Sequence, residues 1–184
     1  MYKIINLNYW FNNKGFTNED ELEKGELSLS FSSLPQKLIN FDKNIIYKGI
    51  PFKFSQNNSG DNVEMTGQRI YFGETWDIQK IHVLGTSNNG SFCEEVHIYN
   101  DFKPLASKSI CFSDFIQPFP QFDEEIVIKF PYTHTQNGIN DNFFPIIWYT
   151  SIDFDKPIQA NNLLFEDNPS MHIFCMTIEV KINE

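Results

Sequence analysis

The sequence predicts an all-β fold, an antiparallel β-sandwich or jelly roll, on three observations. Apolar residues recur at every second position in roughly ten short segments. Polar turn residues interrupt these segments about every eight to twelve residues. No stretch longer than about ten residues carries apolar side chains at helical spacing. The 19 phenylalanines among 184 residues fit the same picture, because large planar side chains fill the gap between packed sheets. One domain spanning residues 1–184 is expected: the length suits a single core, and neither a repeat nor linker-like composition divides it.

The elements follow in order. Residues 5–11 alternate, with Ile5, Leu7, Tyr9 and Phe11 on one face, and Asn12, Asn13, Lys14 and Gly15 end the run as a turn. Residues 19–24 are acidic and read as loop, with one helical turn as the alternative. Residues 27–31 alternate again, Leu27, Leu29 and Phe31 against Ser28 and Ser30. Short strands are expected at 45–47, 51–54 and 69–72, with a polar loop of amides, serine and glycine at 56–62. Strands at 80–84 and 95–99 come next, and 109–112 returns antiparallel to the latter across a turn at 100–104. Pro118 and Pro120 break regular structure. A strand resumes at 126–130, and 133–142 forms a second amide-rich loop. The last strands are 146–150 and 171–180; the second is the longest and is apolar on both faces, as a central strand should be.

Charge narrows the partners. The net charge is −10 and Arg69 is the single arginine, so neither nucleic acid nor an anionic membrane finds the basic surface it needs. No run of about 18 apolar residues crosses a membrane. Residues 1–13 lack the apolar block of a signal peptide, which predicts a cytoplasmic protein. Cys93, Cys111 and Cys175 are an odd set, and in that compartment reduced, buried thiols are expected. If 100–104 is a hairpin turn, Cys93 and Cys111 lie almost opposite each other, and a cross-strand bond is the alternative.

A family resemblance rests on the order of short motifs: FNNKG at 11–15, Leu34-Pro35, GIPFKF at 49–54, DNV at 61–63, GQRI at 67–70, HVLGTSNNG at 82–90, VHIYND at 96–101 and MHIFCMTIEV at 171–180. This order resembles the galactose-binding-like β-sandwich modules appended to bacterial glycoside hydrolases, over nearly the whole chain. The resemblance implies a galactose-binding-like sandwich and a carbohydrate-binding, lectin-like role. It also implies one structural calcium in a loop, for which 59–62 and 137–142 supply oxygens, with Asp61 and Asp141 as the carboxylates.

The residues themselves support a ligand more than a reaction. Sugars offer hydroxyls to amides and carboxylates, and apolar ring faces to indoles. Asp61, Asn62, Gln68, Asn88 and Asn89 lie at strand ends or turns and are the candidate ligand-binding residues. Trp10, opposite Leu7, Tyr9 and Phe11, is expected either to be exposed or to line a groove. Trp76 is either a stacking platform or a plug, and Trp148 belongs to the core. Asx turns and amide-to-backbone bonds are the competing explanation for Asp61, Asn62 and Gln68.

Three functions compete. The leading one is a non-catalytic binding module for a carbohydrate or similar polyol. The second is a small cyclase, isomerase or hydrolase of bacterial specialised metabolism, with His134 as acid or base and Asp114 or Asp141 orienting it. The third is an interaction or assembly protein. No Gly-x-Ser-x-Gly elbow or clustered histidines support the second. His82, His97 and His172 sit at ordinary strand positions. Asp153 and Asp155, followed by Lys156 and Pro157, read as a surface turn.

Overall fold

Strands form where apolar residues alternate, and the computed structural model describes residues 1–181. In chain order they are β1 (Tyr2–Ile5), β2 (Phe16–Thr17), β3 (Leu34–Pro35), β4 (Ile45–Tyr47), β5 (Ile50–Phe52), β6 (Val63–Thr66), β7 (Arg69–Ser87), β8 (Phe92–Asn100), β9 (Lys103–Phe112), β10 (Glu125–Lys129), β11 (Thr133–Thr135), β12 (Gly138–Asn140), β13 (Ile146–Phe165) and β14 (Asp167–Val180). The main sheet runs β1-β14-β7-β13-β8-β9, with β10 on β13 and β6 on β14.

Two long strands carry this architecture. β7 and β13 pair antiparallel from Gly85↔Trp148 to Arg69↔Leu164, with register shifts after Asp153 and after Ala160. Such irregularities bend a strand and increase its twist, so one end of β13 faces β10 and the other faces β8. One buried cluster therefore joins Val83 and Trp148 from one half of these strands to Ile70 and Leu163 from the other, together with Ile98 of β8 and Ile110 of β9.

Alternation sends the remaining side chains outward to a second core. Leu84, Ile147, Tyr149, Phe174 and Cys175 meet Phe16, Leu27, Leu34, Phe52 and Phe54 from the loop-rich N-terminal segment. Phe16 is the hub, with ring centroids 5.0 Å from Phe174 and 5.9 Å from Phe54. Tilted and edge-to-face aromatic pairs of this kind are favoured over flat sandwiches. A segment with little sheet of its own is thus held by phenylalanines.

The structure corrects several expectations. Residues 27–31 alternate but do not form a strand. Ser28 Oγ accepts from the N–H groups of Ser30 and Ser32, and Phe31 N donates to Ser28 O over 2.8 Å. A serine that bonds its own neighbours competes with a ladder, so Leu27 is buried while Leu29 is 84% exposed. The N-terminal strand stops at Ile5 because Asn6 Oδ1 captures Asn8 N. A 3-10 turn at Asn8–Trp10 follows, leaving Tyr9 88% exposed rather than on the face of Leu7.

Residues 69–72 and 80–84 belong to one strand, and Asp153 to Pro157 lie inside β13 rather than in a turn. The 133–142 loop contains the β11–β12 hairpin. Cys93 and Cys111 are bonded, as directly opposed residues of β8 and β9; their side chains stand on the outward face, so the reduced, buried state expected of them is overturned. Cys175 is free and buried, as expected. No helix among the described residues is long and apolar enough to cross a membrane.

Candidate functional site

A chain of buried polar side chains runs behind the loops. Asp61 accepts from Gly15 N at 2.9 Å and Phe16 N at 3.0 Å. Asn62 Nδ2 donates to Asp61 Oδ1 and to Asn13 Oδ1, each at 3.0 Å. Asn62 Oδ1 accepts from His172 Nδ1 at 2.9 Å, and Asn88 Nδ2 donates to His172 Nε2 at 2.6 Å and to Leu27 O at 2.7 Å. An amide oxygen only accepts and an amide nitrogen only donates, which makes His172 the neutral Nδ1–H tautomer.

Burial sets the acidities along this chain. It pushes His172 down to about 3. It raises Asp61 to about 6, against the opposing pull of Asn62 and of the Phe16 and Gly15 N–H groups. Asp61, Asn62 and Asn88 are therefore internal ties that fasten the N-terminal segment to β7 and β14. Gln68 is local: its Oε1 accepts from Thr66 N at 2.8 Å and its Nε2 donates to Glu64 O at 2.6 Å, closing the turn between β6 and β7.

Asp61, one of the two carboxylates expected to hold calcium, is enclosed, with Oδ1 accepting from Gly15 N and Asn62 Nδ2 and Oδ2 accepting from Phe16 N. Asp141 is exposed after β12. Among the described residues, no three His, Cys, Asp or Glu side chains gather as a metal site.

Two clefts open beside this chain and share Ser28 and Asn89. The first, about 360 Å³, is lined by Leu29, Phe31, Glu26, Glu64 and Asn88. The second, about 320 Å³, is lined by Ser30, Ser32, Asp114, Thr135, Asn140 and Phe143. Neither is lined by lysine or arginine. A wider depression of about 730 Å³ lies along Lys14, Glu23, Lys24 and residues 56–61, where charges of both signs neutralise one another.

The wall between the two clefts is built by a turn. Asn89 has φ +56°, a left-handed conformation that asparagine tolerates better than most residues. Ser87 Oγ lies 2.7 Å from Gly90 O and 2.9 Å from Phe112 O, bonding the turn to β9. Asp114 then accepts from Gly90 N at 2.8 Å and Ile116 N at 3.0 Å. Burial raises the Asp114 carboxyl above its ordinary value, and those two N–H groups oppose the rise.

The proposed acid–base pair is not assembled. Thr133 and Thr135 line the second cleft or its rim, and strand alternation turns His134 to the other side of the hairpin. There its Nδ1 lies 2.9 Å from Thr17 Oγ1, and its ring stacks on Tyr132 with centroids 5.5 Å apart. Burial holds the His134 imidazole below its ordinary range. On the outer face of β8 and β9, Ser107 Oγ lies 3.0 Å from His97 Nδ1, but its hydroxyl proton goes to Glu95 Oε2 at 2.7 Å. That serine is not a poised nucleophile.

The tryptophans stand apart from the clefts. Trp76 stacks flat on Phe72, with centroids 6.0 Å apart, and Lys3 Nζ lies 5.7 Å over its ring. Trp10 meets Tyr9 edge-on, and both Trp10 and Trp76 pack on the first core. Trp148 is fully buried. The sequence reading missed Ser28, Ser30, Ser32, Thr135 and Asn140. Ser28 and Ser30 were visible as alternation in 27–31, and that same alternation hid them as strand.

No curated protein matches the chain. A family model described as an AziU2-like beta-sandwich domain matches residues 1–181.

Proposed function

The chain belongs to the AziU2-like β-sandwich domain family, and on that scaffold we propose a non-catalytic binding module that takes a carbohydrate or similar polyol in the two adjacent clefts. One observation carries the proposal. Hydroxyls and amides of Ser28, Ser30, Thr135, Asn89 and Asn140 surround apolar surface from Phe31 and Phe143. A concave, largely apolar site with a few placed polar groups is what a small neutral ligand requires. The absence of lysine and arginine from both linings disfavours an anionic ligand. The resemblance to galactose-binding-like modules supports the same ligand class.

The absence of an acid–base pair in the clefts supports binding over turnover. Asp114 reaches the second cleft with both oxygens held by N–H donors, and His134 faces away from it. An oriented acid–base pair needs its two groups within hydrogen-bond reach of each other.

Calorimetry and a glycan array with neutral mono- and oligosaccharides test the proposal. Asn89→Ala and Thr135→Ala are expected to weaken binding at a stability cost of about 1 kcal/mol each, from the left-handed φ at Asn89 and the Thr135 Oγ1 bond to Gly138 O. Asn62→Ala is expected to lower stability first. If no neutral sugar or polyol binds at millimolar concentration, or if Asn89→Ala and Thr135→Ala leave the affinity intact, the proposal fails.

A further inference from the structure

We infer that the Cys93–Cys111 disulfide is a reversible thiol-exchange site that controls how firmly the cleft wall bearing Asn89 and Asp114 is held. The two cysteines are 18 residues apart in sequence and directly opposed on β8 and β9. Cys93 is exposed and Cys111 half-buried on the outward face of the hairpin. An incoming thiolate therefore reaches Cys93 Sγ without unfolding.

The position of the bond gives it a consequence. Only the Phe92↔Phe112 pair continues the ladder beyond it. After that pair the strands part, one towards Asn89 and the other towards Asp114, and both of these line the second cleft. The Asp114 segment is held on β7, where Ser87 N donates to Ser113 O at 3.1 Å and Phe115 N donates to Ser87 O at 2.8 Å, so the contacts that reduction leaves to hold the Asn89–Ser91 side are polar ones. Gly90 N donates to Asp114 Oδ2 at 2.8 Å, and Asp114 N donates to Ser91 Oγ at 3.1 Å. Bonds of this kind open more readily than a packed ladder once a nearby covalent tie is lost. Behind the disulfide, the pairs from Glu94↔Ile110 to Asn100↔Lys103 keep the hairpin closed. Reduction is thus felt at the cleft and not across the sandwich.

The chemistry balances with an external thiol as reductant. A thiolate from a low-molecular-weight thiol or a dithiol protein attacks Cys93 Sγ. The S–S bond breaks, a mixed disulfide forms, and Cys111 leaves as a thiolate that takes a proton from water. A second donor thiolate attacks the donor sulfur of the mixed disulfide and releases Cys93 as a thiolate, which is then protonated. Two electrons pass to the cysteine pair, and the donor leaves oxidised. Cys175 cannot act as the resolving thiol, because it is buried in the second core.

The test uses the full chain and dithiothreitol, with no denaturant and no ligand, so its failure leaves the polyol proposal untouched. Alkylation and mass analysis should label Cys93 and Cys111 only after reduction, while Cys175 stays unlabelled. Hydrogen exchange at the Gly90 and Ile116 amides should rise about tenfold on reduction while the β1–β14 ladder keeps its protection. Cys93→Ser and Cys111→Ser should each reproduce the reduced pattern. The inference is overturned if the thiols are already free in protein purified under an alkylating agent, or if reduction requires denaturant. It is equally overturned if exchange at Gly90 and Ile116 does not change, or rises no more than in the β1–β14 ladder.

Discussion

Asn88 Nδ2 donates to His172 Nε2 across 2.6 Å, with both side chains buried. This bond joins the turn after β7 to the middle of β14. Through His172 Nδ1 it continues to Asn62, and from there to Asp61 and the backbone of Gly15 and Phe16. The loop-rich N-terminal segment is therefore tied to the sheet by polar groups as well as by phenylalanines. Every member is paired, which is the condition under which a buried polar chain orders a core instead of weakening it.

Two members of this chain give opposite pH dependences. His172 sits near 3 in the fold against 6.5 ordinarily; the unfolded chain binds its proton more tightly, so stability falls as pH drops from 6.5 towards 3. Asp61 sits near 6 against 3.8 ordinarily; here the fold binds the proton more tightly, so stability rises as pH drops from 6 towards 3.8. The two slopes oppose each other between pH 3.8 and 6. Asp61→Asn is expected to be less stable at pH 7 by about 1–3 kcal/mol. Between pH 6 and 4 its stability should also fall more steeply than that of the parent protein, by up to about 1.4 kcal/mol per pH unit. Urea unfolding across that range measures both, and equal slopes for the two proteins would contradict the assignment.

Gly60 is expected to tolerate no side chain. Its φ is +139°, and a Cβ there would stand 2.0 Å from Asn13 O. That carbonyl accepts from Asp61 N and Asn62 Nδ2, so moving it disturbs the polar chain at its centre. Gly60→Ala should cost at least about 3 kcal/mol. Gly67→Ala, at φ +77° with nothing within 4 Å, should cost about 1 kcal/mol. Thermal melts of the pair decide this, and comparable losses would count against the clash at Asn13.

Trp76 is expected to act as a cover on the core and not as a sugar platform. Its ring lies parallel to Phe72, within 3°, and beneath Lys3. Trp76→Ala should lower stability by about 2 kcal/mol and leave affinity for any sugar unchanged. A calorimetric loss of binding with an unchanged melt would return Trp76 to the site.

Trp148 pairs a large burial with an indole N–H that has no hydrogen-bond partner among the described residues. Trp148→Phe removes volume but also removes that unpaired donor, and the two effects oppose each other. The net loss should stay below about 2 kcal/mol, less than a buried tryptophan of this size would otherwise cost. A larger loss by chemical denaturation would show that the donor is satisfied in solution.

Much of the sheet was legible because alternation is a local property. The 171–180 segment, the 95–99 and 109–112 hairpin, and the core position of Trp148 all follow from period-2 patterning. The near-opposition of Cys93 and Cys111 followed from the turn at 100–104, but the bond between them overturns the thiol state inferred from the number of cysteines. The candidate site was harder to read. Asn62 and Asn89 both occur in polar turns, and nothing local says that one is enclosed while the other lines two clefts. Residues 27–31 show the limit most clearly, since a serine bonding its neighbours and a strand exposing serines have the same pattern.

The sequence by itself determined the all-β class, the places of the principal strands and the acidic surface, because alternation, turn chemistry and net charge act over a few residues or over none in particular. The tertiary structure decided the rest. It joined residues 69–72 and 80–84 into one strand, turned His134 away from the cleft, and enclosed Asp61 and Asn62 while leaving Asn89 at the surface. Each of these depends on which distant segment covers a residue. Asn88 meets His172 across 84 positions of chain, a separation at which local pattern carries no information about contact.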